Sequence, residues 1–401
     1  MRLTSPVPVF SSRRHVTATR RGSPPVSPPA SRAALVAAVL AAIALLAAGC
    51  GGSQAHGAAL ATTTATARGA IGQGLQGPAG MKATVYASGL RNVSAFAFDA
   101  RGRLWATTSA ASGHARDGVY VIPRAGAAPI KVISTVHGPL GLLWHGGRLY
   151  VTSLGRVDVL SGLRGRRFAK RKAVIVEPAG HGWNNAIVAT PGGRLVMGIS
   201  AACDHCESQS RWSGTIVSFR PDGSDVRVFA SGIRAPFGIA YDTATGALLT
   251  SMNQRDDLAA KTPGDWLALV REGQSWRFPG CYGQGGSACT GVPAPLAVLD
   301  KHAAAGGVAI VDGQLGRAVG HAALVSEWER GSVLRVPLRR AGKGYARARA
   351  TRLITGLANP LPLAVAPGGA LLVGDWTRGI VYRIARVTVS GTPSPERRSA
   401  S

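Results

Sequence analysis

The chain reads Ala95-Phe96-Ala97-Phe98 and, a glycine turn later, Gly102-Arg103-Leu104-Trp105. That phrase, a short apolar strand, a turn and a second strand, keeps returning. Gly141-Leu142-Leu143-Trp144 precedes Gly147-Arg148-Leu149-Tyr150, and Ala186-Ile187-Val188-Ala189 precedes Gly193-Arg194-Leu195-Val196. Gly238-Ile239-Ala240-Tyr241 precedes Gly246-Ala247-Leu248-Leu249, and Pro362-Leu363-Ala364-Val365 precedes Gly369-Ala370-Leu371-Leu372. Gly307-Val308-Ala309-Ile310 is the weakest copy. The markers Phe96, Leu142, Ile187, Ile239, Val308 and Leu363 are 46, 45, 52, 69 and 55 positions apart. A second motif recurs: Lys82–Asn92 (KATVYASGLRN) and Asp225–Ala235 (DVRVFASGIRA) match almost residue for residue, with Ala350–Pro360 (ATRLITGLANP) a looser copy.

A period near 50 built of strands and glycine turns predicts an all-β fold, a six-bladed β-propeller with four-stranded antiparallel blades. One blade cannot bury both faces, whereas a ring of blades can. The strand around Thr84–Tyr86 is expected to close the ring by completing the last blade. The long interval from Ile239 to Val308 either hides a seventh blade or carries an insertion over one face, and the insertion reading is preferred.

Composition agrees. In 401 residues, 46% are hydrophobic, enough for a large core, and 53 Gly with 24 Pro suit many tight turns. The formal charge is +27, yet no zinc-finger, homeodomain or RNA-recognition motif accompanies it, which argues against nucleic acid. A solvated basic surface, or one facing anionic lipid or cell-envelope polymer, is the expectation.

The N-terminus explains why such a surface would meet an envelope. Arg13, Arg14, Arg20, Arg21 and Arg32 lead into an apolar run of 16 residues, Ala33 to Ala48, the length of a signal-peptide core. It ends Leu45-Leu46-Ala47-Ala48-Gly49-Cys50, which resembles the bacterial lipobox, with Ala47 where Leu is favoured. Residues 1–50 therefore read as a lipoprotein signal with lipidation at Cys50. Residues 51–80 read as a flexible linker, 81–388 as the propeller and 389–401 as a disordered tail. The expected product is a monomer, exported and membrane-anchored on the extracytoplasmic face.

Export places the other cysteines in an oxidising compartment. Cys203, Cys206, Cys281 and Cys289 are even in number and read as two disulfides, preferably between near neighbours, although spacing leaves cross-pairing open. Cys203-Asp204-His205-Cys206 lacks the second ligand pair of a zinc site, and Glu207 stands where a haem-attachment motif has His.

Loop motifs carry a resemblance. Gly198 to Glu207, then Pro221-Asp222-Gly223-Ser224, then Val228 to Arg234, succeed one another in an order similar to the glucose/sorbosone dehydrogenase family. Asn253-Gln254-Arg255-Asp256-Asp257, Gly264-Asp265-Trp266-Leu267, Trp276 to Gly280 and His302 to Gly307 continue it, the last resembling the sorbosone branch. The resemblance implies a soluble quinoprotein that oxidises a sugar at its anomeric or aldehyde carbon. It implies pyrroloquinoline quinone (PQQ) and calcium as cofactors, a sugar as substrate and an unknown electron acceptor. In that family a histidine takes the hydroxyl proton while hydride passes to the quinone.

On this resemblance His181, between two glycines of a turn, is the candidate base, the alternative being a solvated turn histidine. Arg234 is the candidate contact for substrate or quinone. Asn253, Gln254, Arg255, Trp328 and Arg330 are candidate cofactor contacts. Asn253, Gln254, Asp256, Asp257 and Asp265 are candidate calcium ligands, the three carboxylates also being explicable as turn caps. Two departures matter. The family lysine is absent from Glu327-Trp328-Glu329-Arg330-Gly331, and its arginine pair is absent from Asn359-Pro360-Leu361-Pro362-Leu363. Arg330 stands nearest the first, and Arg378 is a further candidate. Two competing readings follow: a non-catalytic propeller binding a glycan or partner protein, and a metal-dependent lyase or lactonase built on His181, His302, Asp256, Asp257 and Glu327.

Overall fold

The computed structural model describes residues 67–110, 117–177, 182–207 and 210–387. The signal segment, Cys50, most of the linker, His181 and the tail lie outside them. Among the described residues every regular element is a strand except two single-turn 3-10 segments, Ala259–Lys261 and Ser287–Cys289. The strands form a six-bladed β-propeller.

Each blade starts with an innermost strand: Val93–Phe98, Gly141–His145, Asn184–Ala189, Ala235–Asp242, Ala305–Asp312 and Pro360–Val365. We number blades 1 to 6 in that order. All six marker residues fall in these strands, and each strand packs against the next, the last against the first. That closed circuit is the wall of the channel, lined by apolar residues such as Phe96, Leu142, Ile187 and Leu363 around a cavity of about 290 Å³.

The wall is tight, and glycine makes it so. A Cβ on Gly141 would lie 2.4 Å from the Asn185 carbonyl oxygen, and one on Gly238 2.3 Å from that of Gly306. Either would push neighbouring blades apart. Hydroxyl groups then rivet the seams. Ser94 Oγ donates to the Pro139 carbonyl (2.6 Å), Thr152 Oγ1 to Asn185 (2.6 Å), Ser251 Oγ to Gly306 (2.6 Å) and Ser326 Oγ to Leu361 (2.7 Å). At the seam of blades 3 and 4 the donor is Asn185 Nδ2, to the Pro236 carbonyl at 3.1 Å. At the seam of blades 6 and 1 the backbone does the work, Asn92 N–H bonding Trp376 O at 2.7 Å and Leu90 N–H bonding Gly379 O at 2.9 Å.

The hydrophobic core is correspondingly divided. Six clusters of buried side chains each fill one seam, for example Trp105, Leu142, Leu149 and Leu160 between blades 1 and 2. At about 25 cal/mol per Å² of apolar surface removed from water, these seams supply most of the drive to close the ring.

Blade 6 is completed from the other end of the chain. Its strands Leu371–Asp375 and Ile380–Arg386 are followed, as outermost partner, by Met81–Ala87, which runs antiparallel to Ile380–Arg386. The expected ring closure is thus realised. There are six blades, not seven. The long interval is an insertion, residues 271–296, between the third and fourth strands of blade 4 (Gly264–Val270 and Ala297–Lys301). It lays Gln274–Ser275 alongside the outer strand of blade 3 and buries Trp276 and Cys281 in the seam between blades 3 and 4. The disulfides join near neighbours, Cys203–Cys206 and Cys281–Cys289.

The linker reading of residues 51–80 needs correction at its end. Arg68–Gly72 and Leu75–Pro78 form a hairpin that extends the sheet of blade 5, with Gln76 opposite Thr355. Ile71 and Leu75 anchor it in the core, both buried, and Arg68 Nη1 donates to the Leu353 carbonyl at 3.1 Å. Two large apolar residues among glycines give no period to read, yet the hairpin they anchor lies along an otherwise open sheet edge.

Candidate functional site

Innermost strands all begin at one end of the channel, and the second strands finish there. Residues just before the former and just after the latter therefore share one face. Trp183, Phe237, Trp328 and Trp376 meet at this end with Leu140, Leu361 and Ala304, forming an apolar floor. Trp328 and Trp376 stand edge to face, ring centroids 5.5 Å apart.

Beside that floor lies a charged rim. Arg234 immediately precedes the innermost strand of blade 4, and Ala235 pairs with Asn253 across the ladder, so Arg234 and Asn253 are neighbours by register. The Arg234 side chain is 10% exposed. Its Nη2 pairs with Asp204, its Nε donates to the Asp204 carbonyl (3.2 Å), and Asp256 lies 3.8 Å away. Its Nη1 is buried without a partner, as are Asn253 Oδ1, Asn185 Oδ1 and Trp183 Nε1. Buried polar atoms are nearly always satisfied, and leaving one unpaired costs about 1–3 kcal/mol. A cluster of them around one aromatic floor is what a polar guest would repay.

Asp204 organises the rim further. Held in the loop closed by Cys203–Cys206, it accepts the backbone N–H groups of Asp256 and Asp257 at 3.2 Å. Arg255 grips Asp257 with two bonds of 2.6 Å, lies over the Tyr282 ring at 4.8 Å, and holds the Asp257 carboxyl well below the usual carboxylate range. His205 Nδ1 is 3.1 Å from the same carboxylate, so one ligand atom each from Asp204, His205 and Asp257 falls within a 4.8 Å cluster. His302 Nδ1 lies 3.2 Å from Asp256, and its Nε2 is 3.3 Å from the Ala259 carbonyl. Desolvation pushes Asp256 up, Arg234 and His302 opposing it and Asp204 reinforcing it.

Deeper in, Asp265 is 2% exposed and accepts Gln254 N–H (2.8 Å) and Ala305 N–H (3.0 Å), tying blade 4 to blade 5. Burial outweighs those two bonds and lifts its pKa to about 7. Glu327 is likewise buried and raised by desolvation, with Ser332 Oγ donating to it at 2.7 Å.

The structure therefore gathers Arg234, Asn253, Gln254, Arg255, Asp256, Asp257 and Trp328 at one end, from loops that sequence motifs singled out. Their present partners differ from the roles expected of them. Arg255 is committed to Asp257, Asp265 to backbone N–H groups across a seam, and Arg330 to the Lys301 carbonyl. Arg378 bonds Gly356 O at 2.9 Å and lies 3.6 Å from Asp375. His181, the expected base, lies outside the described residues, although Gly182 and Trp183 beside it are at the channel end. Sequence reasoning missed Asp204 as the partner of Arg234, and missed Asn185 and Trp376. Asp204 sat within a motif read for its disulfide, for metal or haem, and for family likeness, but not as a partner for an arginine. Asn185 and Trp376 carried no signal beyond their place at strand ends.

No family model matches the chain, and no curated protein matches it. Solved structures do. The PQQ-bound aldose sugar dehydrogenase of Streptomyces coelicolor is 19% identical, with TM-score 0.61, over 77% of this chain and 99% of that one. The holo pyranose dehydrogenase PQQ domain of Coprinopsis cinerea is 15% identical, TM-score 0.63, over 78% and 97%. A calcium structure of a Trichoderma reesei carbohydrate-active enzyme of family AA12 is 13% identical, TM-score 0.63, over 78% and 96%. At such identities the likeness is one of fold.

Proposed function

We propose that this propeller is a quinoprotein-like oxidoreductase that oxidises a sugar or related aldose at the loop end of its channel. The single observation that carries the reading is the set of unpartnered buried polar atoms, Arg234 Nη1 above all, beside an aromatic floor. A flat, multiply charged quinone needs an apolar surface to lie on and donors for its oxygens. Trp183, Trp328, Trp376 and Phe237 supply the first. Arg234 Nη1 and Trp183 Nε1 supply the second, so the residues fit PQQ. Asn253 Oδ1 and the Asp256 carboxylate are the oxygen donors that would hold calcium. The similar structures support the same pair of cofactors, two of them holding PQQ and one described as a calcium structure.

When bound, PQQ supplies a two-electron acceptor for hydride. The chain's own residues do the rest. Arg234, fixed by Asp204, presents a cation whose direction is preset, which lowers the cost of orienting an anionic or carbonyl oxygen. The apolar floor excludes water and strengthens that contact. His302 stands at the rim between the Asp256 carboxylate and the Ala259 carbonyl, 3.2 and 3.3 Å from its two ring nitrogens. The substrate hydroxyl proton falls to His181, two residues before Trp183, as the family resemblance implies. On this reading the leader exports the chain, and lipid at Cys50 tethers it on the extracytoplasmic face.

A second reading has its own support. Four acids, Asp204, Asp256, Asp257 and Glu329, stand at a rim whose arginines already hold carboxylates. A non-catalytic wheel binding a neutral glycan or a partner protein would suit that balance. The deciding experiment adds PQQ and calcium to the purified protein and follows quinone absorbance. Uptake at micromolar concentration, bleached by an aldose, is expected. Arg234→Ala should weaken uptake at least tenfold, and His181→Ala should keep uptake but lose bleaching. A wild-type protein that takes up no quinone refutes the oxidoreductase reading in favour of the second.

A further inference from the structure

We propose that the outer groove between blades 1 and 2 binds a linear polyanion bearing repeated phosphate groups. The inference is independent of the quinone reading and concerns the opposite end of the wheel. Residues 164–172 read Arg-Gly-Arg-Arg-Phe-Ala-Lys-Arg-Lys, six cations in nine positions. They form the tip and outer strand of the blade 2 hairpin, Arg156–Arg164 paired with Arg167–Val176. Third strands run away from the candidate site, so this tip projects at the far end. Arg103 Nη1 pins it there, donating to the Gly165 carbonyl at 2.8 Å.

Between this hairpin and the outer strand of blade 1 (Ile130–Ile133) lies a groove of about 650 Å³. Its charged lining is Lys131, Arg166, Arg167 and Arg171, with the hydroxyls of Ser134 and Thr135, and no acid among them. The carboxylate beneath, Asp158, is 1% exposed and already held by Arg156 (2.9 Å) and Arg171 (2.8 Å). Lys131, Arg166 and Arg167 are exposed and make no ion pair among the described residues; Lys131 lies over the Tyr120 ring at 5.5 Å. Like charges packed on adjacent edge strands repel, and strands do not gain stability from them. A counter-anion relieves that repulsion, and guanidinium forks match phosphate oxygens in pairs. The cations line a concavity between two strands. A flat bilayer cannot enter such a groove, whereas one extended chain can lie along it.

The test titrates end-labelled inorganic polyphosphate with the full-length protein at 0.1 M salt and across a salt series. Binding that weakens steadily with salt is expected. Lys131→Gln, Arg166→Gln and Arg167→Gln together should weaken it at least tenfold and reduce the salt slope by about 2, near 0.7 per lost contact. Arg339→Gln, Arg340→Gln and Lys343→Gln remove as much charge from exposed positions on blade 5 and should change binding less than twofold. Equal losses in both triple variants would show a response to net charge alone and overturn the proposal. So would absence of binding by the wild-type protein, competition by orthophosphate at equal phosphorus concentration, or binding confined to phosphatidylglycerol vesicles.

Discussion

Asp265 offers the sharpest test of the packing between blades 4 and 5. Its carboxyl is lifted from 3.8 to about 7 by burial, against the pull of two backbone N–H donors. The folded protein therefore keeps this group protonated over a range in which the unfolded chain has already released the proton. Stability from this group is fully present below the unfolded value near 3.8 and is lost as pH rises through the folded value near 7. Each unit of that interval is worth about 1.4 kcal/mol, so between pH 4.5 and 7.5 the loss is roughly 3 kcal/mol. Denaturant unfolding across that range should show the difference between wild type and Asp265→Asn shrinking by about that amount. The variant itself should be less stable at pH 4.5, because its amide turns a donor toward one of the two N–H groups. A wild-type to variant difference that is constant with pH, or that grows as pH rises, would refute the account of burial outweighing the hydrogen bonds.

Three further outcomes follow from the packing. Ser251→Ala and Ser326→Ala each remove a rivet and orphan a buried carbonyl, so each should cost about 1–3 kcal/mol in denaturant unfolding while leaving quinone uptake unchanged. Gly238→Val places a Cβ 2.3 Å from the Gly306 carbonyl oxygen and should abolish soluble folded protein, whereas Gly273→Ala, with open space around it but a strained φ of +80°, should cost about 1 kcal/mol. Leu75→Asp should detach the Arg68–Pro78 hairpin, raise proteolysis near residues 68–78 and lower the melting temperature, without opening the ring.

The ring itself was legible because its innermost strands repeat both composition and turn, and each marker from Phe96 to Leu363 occupies the same place in its blade. The closing strand was legible for the same reason, Lys82–Asn92 being a near copy of Asp225–Ala235. The hairpin at Arg68–Pro78 was not, since its two anchors, Ile71 and Leu75, are too few to make a pattern. The site was half legible. Motif order brought attention to Arg234 and to residues 253–257, which do converge. What each cation holds was not legible, because the Arg234 pairing joins residues 30 positions apart and depends on a loop folded back by Cys203–Cys206. The seam hydroxyls escaped notice too: a serine in a strand looks like any other until a neighbouring carbonyl is placed against it.

Closure of blade 6 by Met81–Ala87 also sets an order of events. That strand is among the first of the wheel to be synthesised, yet its partners, Ile380–Arg386, are among the last. Until they arrive, both unmated edges stand open to other chains, and pairing across some 300 residues must be won against loop entropy. A chain emerging from its N-terminus would therefore remain an unfinished arc until its last strands arrive. The position of one seven-residue strand thus makes closing the ring the last and most non-local pairing of the fold.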